Sequence, residues 1–96
     1  MMNDGSKRYT VIIGTDAKWL FDAYLCRLRA ISGSKDVVKR KRAIMTEAIM
    51  SLSEFPYRFP YSLDNRCRMM SVDGHVVFYR IDEGQLKVFI DLISRV

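Results

Sequence analysis

Few side chains in this 96-residue chain could carry covalent or acid–base chemistry. It has two cysteines, Cys26 and Cys67, and one histidine, His75. A thiol attacks as its thiolate, which needs an activating neighbour, and no base stands near Cys67 in the sequence. Metal sites need Cys, His or acidic ligands at set spacings. None occurs here, so neither a metal nor a cofactor is expected. The cysteines fall on different predicted elements, Cys26 on a helix and Cys67 on a strand, and read as reduced, partly buried thiols. Cations are more plentiful: 16 Lys and Arg against 11 Asp and Glu give a net charge of +5. That balance favours acidic partners, whether nucleic acid, an acidic protein or an acidic substrate.

The elements that position these groups follow from patterning. With 49% hydrophobic and 28% charged residues, the chain has the composition of a folded domain with one modest core. No apolar run reaches signal or membrane-spanning length, so no membrane contact and a cytoplasmic location are expected. Residues 1–7 read as a flexible N-terminal tail and 8–96 as a single domain.

The stretch from Arg66 to Ile93 reads as three strands joined at Asp73-Gly74 and Glu83-Gly84, dipeptides suited to two-residue hairpin loops. If both loops have two residues, Val72 faces His75, Met70 faces Val77, Arg68 faces Tyr79, Ile81 faces Leu86, Tyr79 faces Val88, Val77 faces Ile90 and His75 faces Leu92. Opposed residues share a face. One face then carries Met70, Val72, Val77, Tyr79, Ile81, Leu86, Val88, Ile90 and Leu92, and should be covered. The other carries Cys67, Met69, Ser71, Val76, Phe78, Arg80, Lys87, Phe89, Asp91 and Ile93. A slip of one residue would exchange the two sets.

Upstream, Arg8–Ile13 reads as a first strand, ended by Gly14, with Thr15 or Asp16 capping a helix to Ser32. Ala17, Leu20, Phe21, Tyr24, Leu25, Leu28 and Ile31 form its stripe, widened by Trp19, Ala23, Cys26 and Ala30. Gly33 suits the helix end and Ser34 the next cap. A second helix is expected from Lys35 to Glu54, stopped by Pro56. The run Lys39-Arg40-Lys41-Arg42 wraps round its start. Lys41 should lie at the apolar seam and snorkel. Lys39, Arg40 and Arg42 form a basic patch, read as solvated surface or as contacts to phosphates or an acidic partner. The loop Pro56–Tyr61 is rich in aromatics. The expected fold is α+β in two layers, β-α-α-β-β-β, with an antiparallel helix hairpin packed on a mainly antiparallel four-stranded sheet.

This order resembles the RelE/ParE superfamily of bacterial toxins over roughly Tyr9 to Arg95. The matching pieces are the helix hairpin, the exit Leu52-Ser53-Glu54-Phe55-Pro56, the strand Arg68-Met69-Met70-Ser71-Val72, the hairpin segment Gly74–Ile81 and the last strand Val88–Ile93. His75 stands where the family usually has Tyr. The resemblance implies a toxin of a type II toxin–antitoxin pair, with a cognate antitoxin as partner and either a homodimer or a hetero-oligomer with that antitoxin. RelE-like members cleave ribosome-bound mRNA, and ParE-like members inhibit DNA gyrase. RNA cleavage needs a base and clustered cations. At the positions where RelE-like toxins carry catalytic cations, this chain has Cys67, Met69, Val76 and Val96. The ParE-like branch is therefore favoured, with no catalytic residue assigned. Met69, Phe78, Arg80, Lys87, Phe89, Ile93 and Arg95 are the candidates for binding target or antitoxin, because an apolar strip on an open face marks an interface. The alternatives are a ribosome-dependent mRNA endonuclease with an unusual site, and a non-toxic basic module that binds nucleic acid.

Overall fold

The computed structural model describes residues 7–96. The expected tail, apart from Lys7, lies outside the described residues. Strand β1 (Thr10–Ile13) leads into helix α1 (Thr15–Ser32), then helix α2 (Lys35–Met50), and then three strands, β2 (Arg68–Val72), β3 (His75–Asp82) and β4 (Lys87–Arg95). Two short 3-10 turns, Ser51–Ser53 and Pro56–Arg58, link α2 to the strands. The sheet order is β1-β4-β3-β2, with β1 parallel to β4 and the other pairs antiparallel. The expected α+β architecture is the one observed.

Local chemistry explains most boundaries. Gly33, at φ 65°, takes the left-handed conformation that ends α1, and its N–H reaches the Arg29 carbonyl. Ser34 caps α2 by accepting from the Val37 N–H at 3.3 Å. Two expectations fail here. The cap of α1 is Gly14, not Thr15 or Asp16. Gly14 bonds the Ile90 carbonyl, and an added Cβ would lie 2.9 Å from that oxygen, so the tight approach of the chain to β4 decides the position. Helix α2 stops at Met50 rather than Glu54 because the backbone tightens into a 3-10 turn.

The core lies between the helices and one sheet face. It comprises Tyr9, Ala17, Met45, Ile49, Leu52, Met70, Val77, Tyr79, Val88, Ile90 and Ile93. The buried stripe of α1 is narrower than expected: Trp19, Ala23, Cys26 and Ala30 are all exposed. The molecule measures 50 × 29 × 20 Å. Leu20 and Ile31, expected within the stripe itself, are exposed too, as are Lys35, Val37, Lys39 and Arg40 towards the hairpin tip. Lys41 does snorkel: its side chain is 16% exposed and its ammonium pairs with the Asp73 carboxylate at 2.7 Å.

The first hairpin has the expected register, Val72 to His75 through Arg68 to Tyr79, with Asp73 and Gly74 both at positive φ. The second departs from it. Asp82 pairs with Lys87 across the four residues Glu83–Leu86. The Asp82 carboxylate accepts from the Gln85 N–H at 3.0 Å, and Leu86, rather than Gly84, takes the positive φ. Arg80 therefore faces Phe89, not Lys87. Further on, Tyr79 pairs with Ile90 but Phe78 pairs with Leu92, so Asp91 is the extra residue of a β-bulge.

Candidate functional site

The bulge decides what the open face contains. Before it, alternation holds as expected: Lys87, Phe89 and Asp91 point to the uncovered side, with Phe78 and Arg80 from β3. Beyond it the parity of β4 inverts. Ile93 pairs with Val77 and is 6% exposed in the core, whereas Leu92 pairs with Phe78 and is 36% exposed. Ile93 is thus removed from the candidate interface and Leu92 takes its place. Arg95 also leaves it. It pairs with His75 at the end of the covered side, and its guanidinium lies 5.4 Å from the Tyr24 ring.

The remaining candidates come together. Met69 pairs with Phe78, Arg80 with Phe89, and Ile12 of β1 with Phe89. Met69, Phe78, Phe89 and Ile12 are half-buried because they shield one another. Through this apolar strip runs a polar line. Arg80 donates to both Asp91 oxygens and its guanidinium stacks 5.2 Å from the Phe89 ring. Cys67 donates its S–H to Asp91 at 3.6 Å. Burial, and after it the Asp91 charge, push the Cys67 thiol up from its ordinary value. That is the reverse of what a nucleophilic cysteine needs. Lys87 stays half-buried on the same side, opposite Asp82.

His75, Tyr79 and Arg68 are engaged in packing within the fold. His75 is buried, as expected, between Phe21 and Tyr24, whose rings lie edge-on at 5.8 and 4.7 Å. Its Nδ1 faces the Asp73 carbonyl at 3.3 Å and so carries the proton. Nε2 is buried without a partner among the described residues. Burial lowers the pKa of His75, so the ring is held neutral. Tyr79 donates to the Pro56 carbonyl at 2.6 Å. Arg68, opposite Tyr79, bonds the Phe59 carbonyl at 2.7 Å and stacks on Tyr61 and Tyr57. It thereby pins the aromatic loop. Lys39, Arg40 and Arg42 are solvent-exposed, and Arg42 lies 3.8 Å from Asp22. Among the described residues no group of three or more His, Cys, Asp or Glu is placed to hold a metal ion. No helix among them is long and apolar enough to cross a membrane.

Sequence reasoning missed one cluster. Glu83 accepts from the hydroxyls of Tyr9 and Tyr57 and from the Lys7 ammonium. These residues are scattered along the chain, so no local pattern announced them. No family model and no curated protein matches this chain.

Proposed function

We propose that this protein is the toxin of a type II toxin–antitoxin pair and acts in the cytoplasm by binding its target. Its open sheet face is the binding surface, and the ParE-like resemblance makes DNA gyrase the target. The observation that carries this reading is the composition of that face. Met69, Val76, Phe78, Phe89 and Leu92 form an apolar strip on the side of the sheet away from the helices. A strip of this kind suits a protein surface better than a phosphate backbone. By the resemblance, Cys67, Met69 and Val76 occupy the positions where RNA-cleaving toxins of the RelE type keep cations, and Arg80 is tied to Asp91. The positive charge suits an acidic antitoxin, which would lie along the same strip in a hetero-oligomer.

Two assays test this. Purified protein should inhibit gyrase supercoiling, and Phe89→Glu should abolish inhibition without unfolding the domain. Cleavage of ribosome-bound mRNA by wild-type protein, with gyrase unaffected, would replace this reading with that of an endonuclease. One observation favours the second reading: Tyr57, Tyr61, Asn65, Arg66, Arg68 and Arg80 line a single polar cleft of ≈ 370 Å³ at the end of the sheet. Aromatic rings beside guanidinium groups suit stacked bases and phosphates.

A further inference from the structure

The corner where β1, the Pro56 turn and the β3–β4 loop meet has a different character from the open face. Glu83 is clamped there on both oxygens. Tyr9 donates to it at 2.7 and 3.1 Å, Tyr57 donates to Oε2, and Lys7 donates to Oε1 at 3.0 Å. The hydroxyl of Tyr57 foremost, then that of Tyr9 and the Lys7 ammonium, hold the Glu83 carboxyl down at about 2. It is therefore ionised throughout the physiological range. In a chain of net charge +5 it makes a fixed negative point.

Aromatic residues adjoin that point: Phe55 and Tyr57 are exposed, whereas Tyr9 is buried. The rings of Tyr9 and Tyr57 meet edge to face, 6.5 Å between centroids. Together with Phe55 and Pro56 they line a cleft of ≈ 280 Å³. Phe55 sits at φ 53°, in the left-handed region that a bulky aromatic rarely adopts, and the residue is 56% exposed. Strained backbone persists where the surroundings fix it, and such residues cluster at binding sites. Here the strain holds a ring in water beside a carboxylate. Ring faces and a carboxylate together attract an alkylammonium more strongly than either alone. Lys7 already places its ammonium in this cleft, and both members of that ion pair are about half exposed. Exposed pairs of this kind hold weakly and exchange readily.

We propose that Phe55, Tyr57 and Glu83, with the Tyr9 hydroxyl orienting the carboxylate, form a recognition pocket for a lysine-type alkylammonium side chain of a protein partner, and that Lys7 is its internal occupant, displaced on binding. The pocket is separate from the open face and stands whether the target is gyrase or not. The tyrosines keep the carboxylate oriented when Lys7 leaves, so the site is formed before the ligand arrives.

The test is an NMR titration with N-acetyl-lysine methylamide, following the ring signals of Tyr9 and Tyr57. Lys7→Ala should show saturable shifts with affinity ~5-fold above wild type, the size of an exposed ion pair. Adding Glu83→Gln to Lys7→Ala should weaken binding ~10-fold or more. N-acetyl-norleucine methylamide, which lacks the charge, should give no saturable shift. Phe55→Gly removes the ring at a position where glycine is at ease, so it should keep the fold and weaken binding several-fold. Shifts in Lys7→Ala that do not saturate would overturn the proposal, as would an equal response to the norleucine probe. If Glu83→Gln disturbs the fold, unchanged affinity in Phe55→Gly overturns it instead.

Discussion

On β3, Val77 and Tyr79 are fully buried, while Phe78 and Arg80, one step along the same strand, face the uncovered side. Both faces are rich in large apolar side chains, so hydrophobicity alone does not separate them. What separates them is the helix hairpin. It lies over one face and buries it almost completely, and the other face keeps its Met, Val and Phe residues half-buried against each other. The covered face gains its stabilisation from folding. The open face leaves the same kind of surface uncovered, which is why we propose it as the binding surface.

Mutations can break this contrast. The largest effect should come from Tyr79→Ala. It empties a wholly buried ring site and strips the Pro56 carbonyl of its donor, costing about 3–5 kcal/mol in denaturant unfolding. Next comes the adjacent pair beyond the bulge. Ile93→Ala should cost about 2–4 kcal/mol and Leu92→Ala less than about 1 kcal/mol. The reverse order, with Leu92→Ala the costlier, would mean that Asp91 is not bulged. Gly14→Ala should cost about 1–3 kcal/mol, because its Cβ meets the Ile90 carbonyl. Phe89→Glu should change stability by about 1 kcal/mol or less while removing partner binding. A loss comparable to that of Tyr79→Ala would show that the face is covered after all.

The smallest effect depends on pH. His75 is a buried polar group on the covered face, and its pKa lies below the ordinary 6.5. The unfolded chain therefore binds a proton first as pH falls. Stability should decline from about pH 6.5 downward until the folded-state pKa is also passed. His75→Phe should flatten the melting temperature over that window.

Much of this was legible in the sequence, for local reasons. Asp73-Gly74 forces a two-residue turn, Gly33 and Ser34 end one helix and start the next, and strict alternation separates Met69 from Met70. The failures arose where no residue-type pattern announces the geometry. The loop Glu83–Leu86 depends on the Asp82 side chain bonding Gln85, and on Leu86 accepting a conformation that its type disfavours. The bulge at Asp91 leaves no sequence signal, yet it alone exchanges Leu92 and Ile93. The width of the buried stripe on α1 depends on how α2 lies against it, so Trp19 and Cys26 could not be placed from periodicity. The Glu83 cluster draws on residues up to 76 positions apart, which no motif search would join.

The parallel pairing of β1 with β4 has a consequence for the order of folding. Thr10 meets Lys87, so this strand pair closes almost the whole described chain into one loop. The α1–α2 hairpin and the β2–β3–β4 meander each close over short distances and cost far less chain entropy. Strand β1, only four residues long and at the sheet edge, should dock last and open first. In amide hydrogen exchange, the N–H groups of Ile12 and Gly14 should then lose protection well before those of Val77 and Tyr79.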